Sequence, residues 1–119
     1  MAKINAINNF KEFWPYYVAA HSRPMTRIIH LGATASSWIL IALAITTGHW
    51  WLLFLIPFVA YGLAWYSHFF IEHNRPATFG HPFYSLAADY KMAGMMLTGR
   101  MSAEIQRLNH ERLVNTRAL

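Results

Sequence analysis

The chain has 119 residues, of which 55% are hydrophobic, 16% aromatic and only 13% charged. An average soluble domain carries about 25% charged residues, so half the usual charge is missing, and a chain with this much to bury is not intrinsically disordered. The absence of Cys excludes a disulfide scaffold, a thiolate zinc site and a Cys nucleophile.

In chain order, Ile4, Ile7, Phe10, Trp14 and Val18 recur at helical spacing over residues 4–19, with Lys3, Asn8, Lys11 and Glu12 elsewhere. That pattern predicts an amphipathic helix lying at a membrane interface, bent or restarted at Pro15. Ser22-Arg23-Pro24 reads as a helix start with Pro at the first helical position. Residues 28–71 then contain no Asp, Glu, Lys or Arg. One membrane span needs about 20 apolar residues, so this stretch accommodates two. Thr46-Thr47-Gly48-His49 breaks it, and Trp50-Trp51 suits a membrane interface. The predicted spans are 25–46 and 50–72, and Pro57 and Gly62 are tolerable within a membrane helix.

Asn74-Arg75-Pro76 ends the second span, because the residue before Pro avoids helical geometry. Residues 77–84 read as loop, Ser85 as the cap of a Met-rich helix to about residue 97, Gly99 as a break, and Ser102 as the cap of a polar helix through about residue 115. The fold class is therefore all-α: an integral membrane helical hairpin with two spans, an N-terminal amphipathic helix and C-terminal interfacial helices, in one domain covering 1–119. No signal-peptide pattern precedes the first span. Lys3, Lys11, Arg23 and Arg27 lie before the spans and the other basic residues after them, which puts both termini in the cytoplasm and suggests a bacterial inner membrane. The net charge of +5 suits anionic lipid headgroups. Nucleic acid is not an expected partner, since a recognisable motif is absent.

The histidines carry most of the functional information. His30 lies shortly after the start of the first span and His68 shortly before the end of the second, so an antiparallel hairpin sets them at similar depth. Glu72 follows His68 by four residues, which puts the two on the same helix face, one turn apart. His21 lies at the same surface. Ionisable groups within or near spans are expensive and face partners or cavities. Imidazole and carboxylate ligands suit iron, zinc or manganese, and open positions suit oxygen chemistry. Hydrogen bonding to backbone or exposure at headgroup level are the alternatives for each lone His. His81 is a further ligand candidate, while His49, His73 and His110 are expected to face solvent or headgroups. Arg23, Arg27 and Arg75 crowd the same surface, either as a carboxylate-binding group or as lipid-phosphate contacts. Asn74 either orients such a headgroup or caps the span. Asp89 is a candidate support for a His. An amphiphile with an acid headgroup fits this layout, its tail between the spans.

At these residues the sequence resembles a family. Tyr17-Val-Ala-Ala-His21-Ser-Arg-Pro24, continuing to Arg27-Ile-Ile-His30, matches its first signature. His68-Phe-Phe-Ile-Glu72-His-Asn74-Arg75-Pro76-Ala77-Thr78-Phe79, with Pro82, Ser85-Leu86 and Asp89 beyond, matches its second. This is the membrane 2-hydroxy fatty acid dioxygenase family, formerly a domain of unknown function, whose fungal member serves phytosphingosine breakdown in the endoplasmic reticulum. The resemblance implies an Fe(II)-dependent enzyme that uses dioxygen, without 2-oxoglutarate, to convert a 2-hydroxy fatty acid to the acid one carbon shorter. It implies His21, His30, His68 and Glu72 as the iron-site and catalytic residues; Arg23, Arg27, Asn74 and Arg75 stay the substrate-binding candidates of the residue pattern. Position 73 departs from the family pattern, which usually has Lys there, and the chain is shorter than the fungal enzyme.

Two other classes stay open. One is a non-catalytic membrane protein that binds lipid or packs with a partner, a homo-oligomer included, through small residues such as Gly32-Ala33-Thr34-Ala35-Ser36. The other is a membrane hydrolase in which the same ligands hold zinc.

Overall fold

The computed structural model describes residues 4–119, and Lys3 lies outside them. Five α-helices make up most of the described residues: α1 (Phe10–Ala20), α2 (Pro24–Thr47), α3 (Leu55–Ser67), α4 (Pro82–Leu97) and α5 (Met101–Arg117). No strand occurs among the described residues. A 3-10 turn, Trp50–Phe54, leads into α3, and a π-helical turn, His68–Glu72, follows it.

Two helices are long and apolar enough to span a membrane: α2, and the composite helix Trp50–Glu72 that contains α3. At about 1.5 Å per residue, the 24 residues of α2 exceed the roughly 30 Å of a hydrocarbon core. Pro24 at the first helical position starts α2 as expected. Gly48 ends it in the left-handed conformation (φ 72°), its N–H donating to the Ala44 carbonyl, a geometry only Gly adopts without penalty. The two spans pack along each other as an antiparallel hairpin. Their outer faces present Ile39, Ile45, Phe54, Phe58 and Phe70, each at least 60% exposed, an apolar surface far larger than a soluble monomer leaves open.

The protein interior lies at the other end, beside the hairpin mouth. Phe13, Trp14, Tyr17 and Val18 of α1 are buried with Ala88 and Met92 of α4 and Met101 of α5. So α1 is amphipathic as its spacing predicts, but its apolar face is the centre of a packed core. Asn9 caps it, its side chain accepting from the Glu12 N–H at 2.9 Å. Pro15 sits within the continuous α1 rather than restarting it. Lys91 crosses over the Trp14 ring at 4.3 Å, a cation–π contact that covers the core from α4. Two helix starts differ from the sequence reading. Pro82, not Ser85, opens α4, because its fixed φ is already helical, and this turns Ser85 into a buried residue of the first turn. The last helix begins at Met101, which is itself a core residue.

Phe13 is fully buried among Phe10, Tyr16, Tyr17, His81 and Tyr84. Phe13→Ala is expected to destabilise the protein by about 3–5 kcal/mol in denaturant titrations of the detergent-solubilised chain. A loss below about 1 kcal/mol, typical of a surface change, would show that α1 is not the core.

Candidate metal centre

Three helical segments meet at the hairpin mouth and each delivers one imidazole. His21 is the C-cap of α1, His30 lies in the second turn of α2, and His68 opens the π-helical turn. The rings stand nearly perpendicular to one another, with centroids 4.3, 4.6 and 5.1 Å apart. All three are at most 5% exposed. One ligand atom from each lies within 4.8 Å of the others.

What orients them is a hydrogen bond at each Nδ1. His21 Nδ1 is 2.6 Å from the Tyr17 carbonyl, one turn back on α1. His30 Nδ1 is 3.3 Å from Asp89 Oδ1 on α4. His68 Nδ1 is 2.7 Å from Asn74 Oδ1. A carbonyl and a carboxylate only accept, so Nδ1 donates in the first two. Asn74 Nδ2 donates to the Ala20 carbonyl at 2.9 Å, which turns its oxygen toward His68 and fixes the same tautomer there. All three Nε2 atoms are thereby left as lone-pair donors. Those of His21 and His30 are buried with no hydrogen-bond partner. An orphaned acceptor in the interior is costly, and these two, with His68 beside them, form a set that a metal ion satisfies. Imidazole nitrogen suits zinc, copper, iron and nickel, and oriented Nδ1 partners are the usual support of such ligands.

Burial, and then the neighbouring His30 and His68, push the His21 pKa well below the ordinary imidazole value, so it is neutral and ready to ligate at physiological pH. Tyr17 stacks on His21 at 4.0 Å between centroids and donates its hydroxyl to Asp89. Burial and the adjacent Asp89 push the Tyr17 pKa up, so it stays protonated and keeps Asp89 anchored against His30.

Glu72, expected among the ligands, is placed elsewhere. Its carboxylate accepts from the Ser22 hydroxyl at 2.7 Å and the Arg23 N–H at 2.6 Å, where a negative charge meets the positive end of α2. The four-residue spacing sets Glu72 one turn from His68, but not where its carboxylate reaches. The Glu72 carboxylate instead reaches across to the start of α2, where these two hydrogen bonds hold it outside the imidazole set. His73 closes the turn in the left-handed conformation, φ 56°.

The proposed substrate groups also hold other positions. Arg27 donates from Nη1 to the His21 and Ser22 carbonyls, both at 2.8 Å, fixing the loop that carries His21. Asn74 supports His68. Arg75 lies over the Phe79 ring at 5.1 Å, and Arg23 contributes its backbone N–H to Glu72. None of the four lines the cavity that opens below the imidazoles. His81 donates from Nε2 to the Ile4 carbonyl at 2.8 Å and stacks on Tyr84. His49, His73 and His110 are exposed.

That cavity, of ≈ 210 Å³, is bounded by His21, His30 and His68 and continues between α2, α3 and α4. The Ser85 hydroxyl lines it and is buried without a partner. Tyr17 and Ser85 stand within the family signatures, Ser85 also as an expected helix cap, but neither is given a role in the site by the sequence. Tyr17 precedes His21 by four residues, a spacing that puts both on one face of α1, and was the available signal.

These features define a class: a small all-helical protein with three buried histidines at the mouth of an apolar hairpin. The chain belongs to the Mpo1-like family, whose model, described as 2-hydroxy-palmitic acid dioxygenase Mpo1-like, matches residues 7–101. That range holds all three histidines and their Nδ1 partners. Comparison with curated proteins and with solved structures finds no match.

Glu72→Gln is expected to keep its metal stoichiometry while losing about 1 kcal/mol of stability, as for a weakened helix cap. His68→Ala is expected to lose the metal. Metal analysis of both purified variants, beside a melting curve, checks this; loss of metal in Glu72→Gln at intact fold would return Glu72 to the ligand set.

Proposed function

We propose that this protein is an Fe(II)-dependent membrane dioxygenase that converts a 2-hydroxy fatty acid to the acid one carbon shorter. The observation that carries this reading is the convergence of three buried imidazoles at the head of an apolar cavity. The family's printed name supports the substrate class. Iron held by His21, His30 and His68 would supply open coordination positions and the redox capacity to use dioxygen. Zinc fits the same three nitrogens but has no redox chemistry.

The overall balance needs no further reductant. Oxidising a 2-hydroxy acid to the shorter acid and carbon dioxide releases four electrons, the number that dioxygen takes up in full reduction. One oxygen equivalent is thus consumed for each acid, carbon dioxide and water formed. The chain's residues have distinct parts in this. The three imidazoles present their lone pairs on one side only, because Tyr17, Asn74 and Asp89 hold the opposite nitrogens. The Ser85 hydroxyl is free to hydrogen-bond the substrate's polar end. The apolar wall below excludes water and takes the hydrocarbon. Membrane embedding of the hairpin, with both termini on the cytoplasmic side, brings the site to the level of lipid headgroups.

The test is anaerobic loading with Fe(II), followed by oxygen and 2-hydroxypalmitate. Oxygen uptake is expected to match the pentadecanoic acid formed, and to fall below detection in His68→Ala. Asp89→Asn is expected to lose about 10–100-fold in metal affinity or activity. A fully iron-loaded protein that takes up no oxygen with 2-hydroxy acids of any length would overturn the reading.

A further inference from the structure

The cavity below the histidines has a direction and an end. From His68 its wall follows one face of the second span through Ala64, Ala60 and Ile56, and from His30 it follows α2 through Ala33 and Ser37 to Ile41. Ala33, Ala60 and Ala64 are small side chains on these walls, beside the larger Trp65 and Tyr61, and the two isoleucines lie farthest along the helices from the histidines. Ser37 donates its hydroxyl back to the Ala33 carbonyl at 3.1 Å, so the polar group on this wall is already satisfied. Tyr61, Leu86 and Tyr90 line the same cavity and are also 42–53% exposed. They form a rim between α3 and α4 that faces the apolar surroundings of the hairpin, not the aqueous end.

We infer that this channel receives the substrate's acyl tail sideways from the bilayer, between α3 and α4, and that Ala60 and Ile56, with Ile41 opposite, set the chain length. This rests on the proposed dioxygenase reading and adds the feature that selects among its substrates. The continuity with the unpartnered imidazole nitrogens argues for the occupant: a ligand whose polar end satisfies those groups has its tail in the channel. Twelve residues separate Ile56 from His68, about 18 Å along a helix at 1.5 Å per residue. An extended alkyl chain built from roughly 1.5 Å bonds advances about 1.25 Å per carbon, so this length matches about fourteen carbons beyond the two at the histidines. Ala60 is one turn higher, so a large side chain there shortens the usable depth by about 6 Å, or about five carbons.

The experiment is turnover of a ladder of straight-chain 2-hydroxy acids, from octanoic to eicosanoic, by the iron-loaded protein in detergent or nanodiscs. Ala60→Phe is expected to move the preferred length down by about five carbons with at least a tenfold loss on 2-hydroxypalmitate. Ile56→Ala is expected to move it up. Phe58→Ala, on the outer face, leaves the profile unchanged. Independently of turnover, a 2-hydroxy acid carrying a photoreactive group at its methyl end is expected to label the protein near Ile41 and Ile56 when irradiated without oxygen. If a variant fails to fold, the labelled peptide decides. Wild-type turnover with an unchanged profile in both folded variants, or labelling confined to other segments, overturns the channel. Absence of turnover and of labelling in the wild-type protein overturns the dioxygenase reading itself, and the channel with it.

Discussion

Each of the three histidines has one ring nitrogen tied to a different partner, and the rest of the site depends on that arrangement. A carbonyl of α1 holds His21, a carboxylate of α4 holds His30, and the Asn74 amide holds His68. Because all three partners accept, all three rings adopt the tautomer that leaves Nε2 free. The ties come from outside the hairpin in every case. The two spans alone could bring His30 and His68 to similar depth, but α1, α4 and the segment after the second span fix which nitrogen each presents.

The same logic explains the dense packing at one end of an otherwise exposed molecule. The α1 core holds Tyr17 in place, and Tyr17 serves the site twice, through its carbonyl to His21 and through its hydroxyl to Asp89. Glu72 and Asn74 clasp the end of the second span to the start of the first, at Ser22, Arg23 and Ala20. Arg27 then braces the His21 loop. Charged and polar residues that crowd this surface are thus largely occupied in holding backbone, and the cavity they surround is left apolar except for the imidazoles, Asp89 and a few hydroxyls.

Much of this was legible in the sequence. The charge-free stretch located both spans, and Pro24 located the start of α2 to the residue. The depth of His30 and His68 followed from antiparallel connection alone. Glu72 was the limit of that method. Spacing from His68 places its backbone, but its carboxylate is taken by Ser22 and Arg23, distant in sequence, at the start of the first span. The roles of Asn74 and Arg27 were equally hidden, because a side chain that braces a loop and one that binds a ligand have the same composition at the sequence level. Tertiary packing also made α1 a core helix, where periodicity alone is satisfied by a membrane surface or a protein partner.

The claim on which the account rests is that His21, His30 and His68 act together as one three-nitrogen ligand set through Nε2. X-ray absorption spectroscopy of the iron-loaded protein tests it directly, since imidazole ligands give a characteristic outer-shell scattering that carboxylates do not. The account predicts a first shell that includes three imidazoles, reduced by one in His21→Ala. Iron bound with fewer than three imidazoles in the wild-type protein, or a spectrum unchanged in His21→Ala, would contradict it.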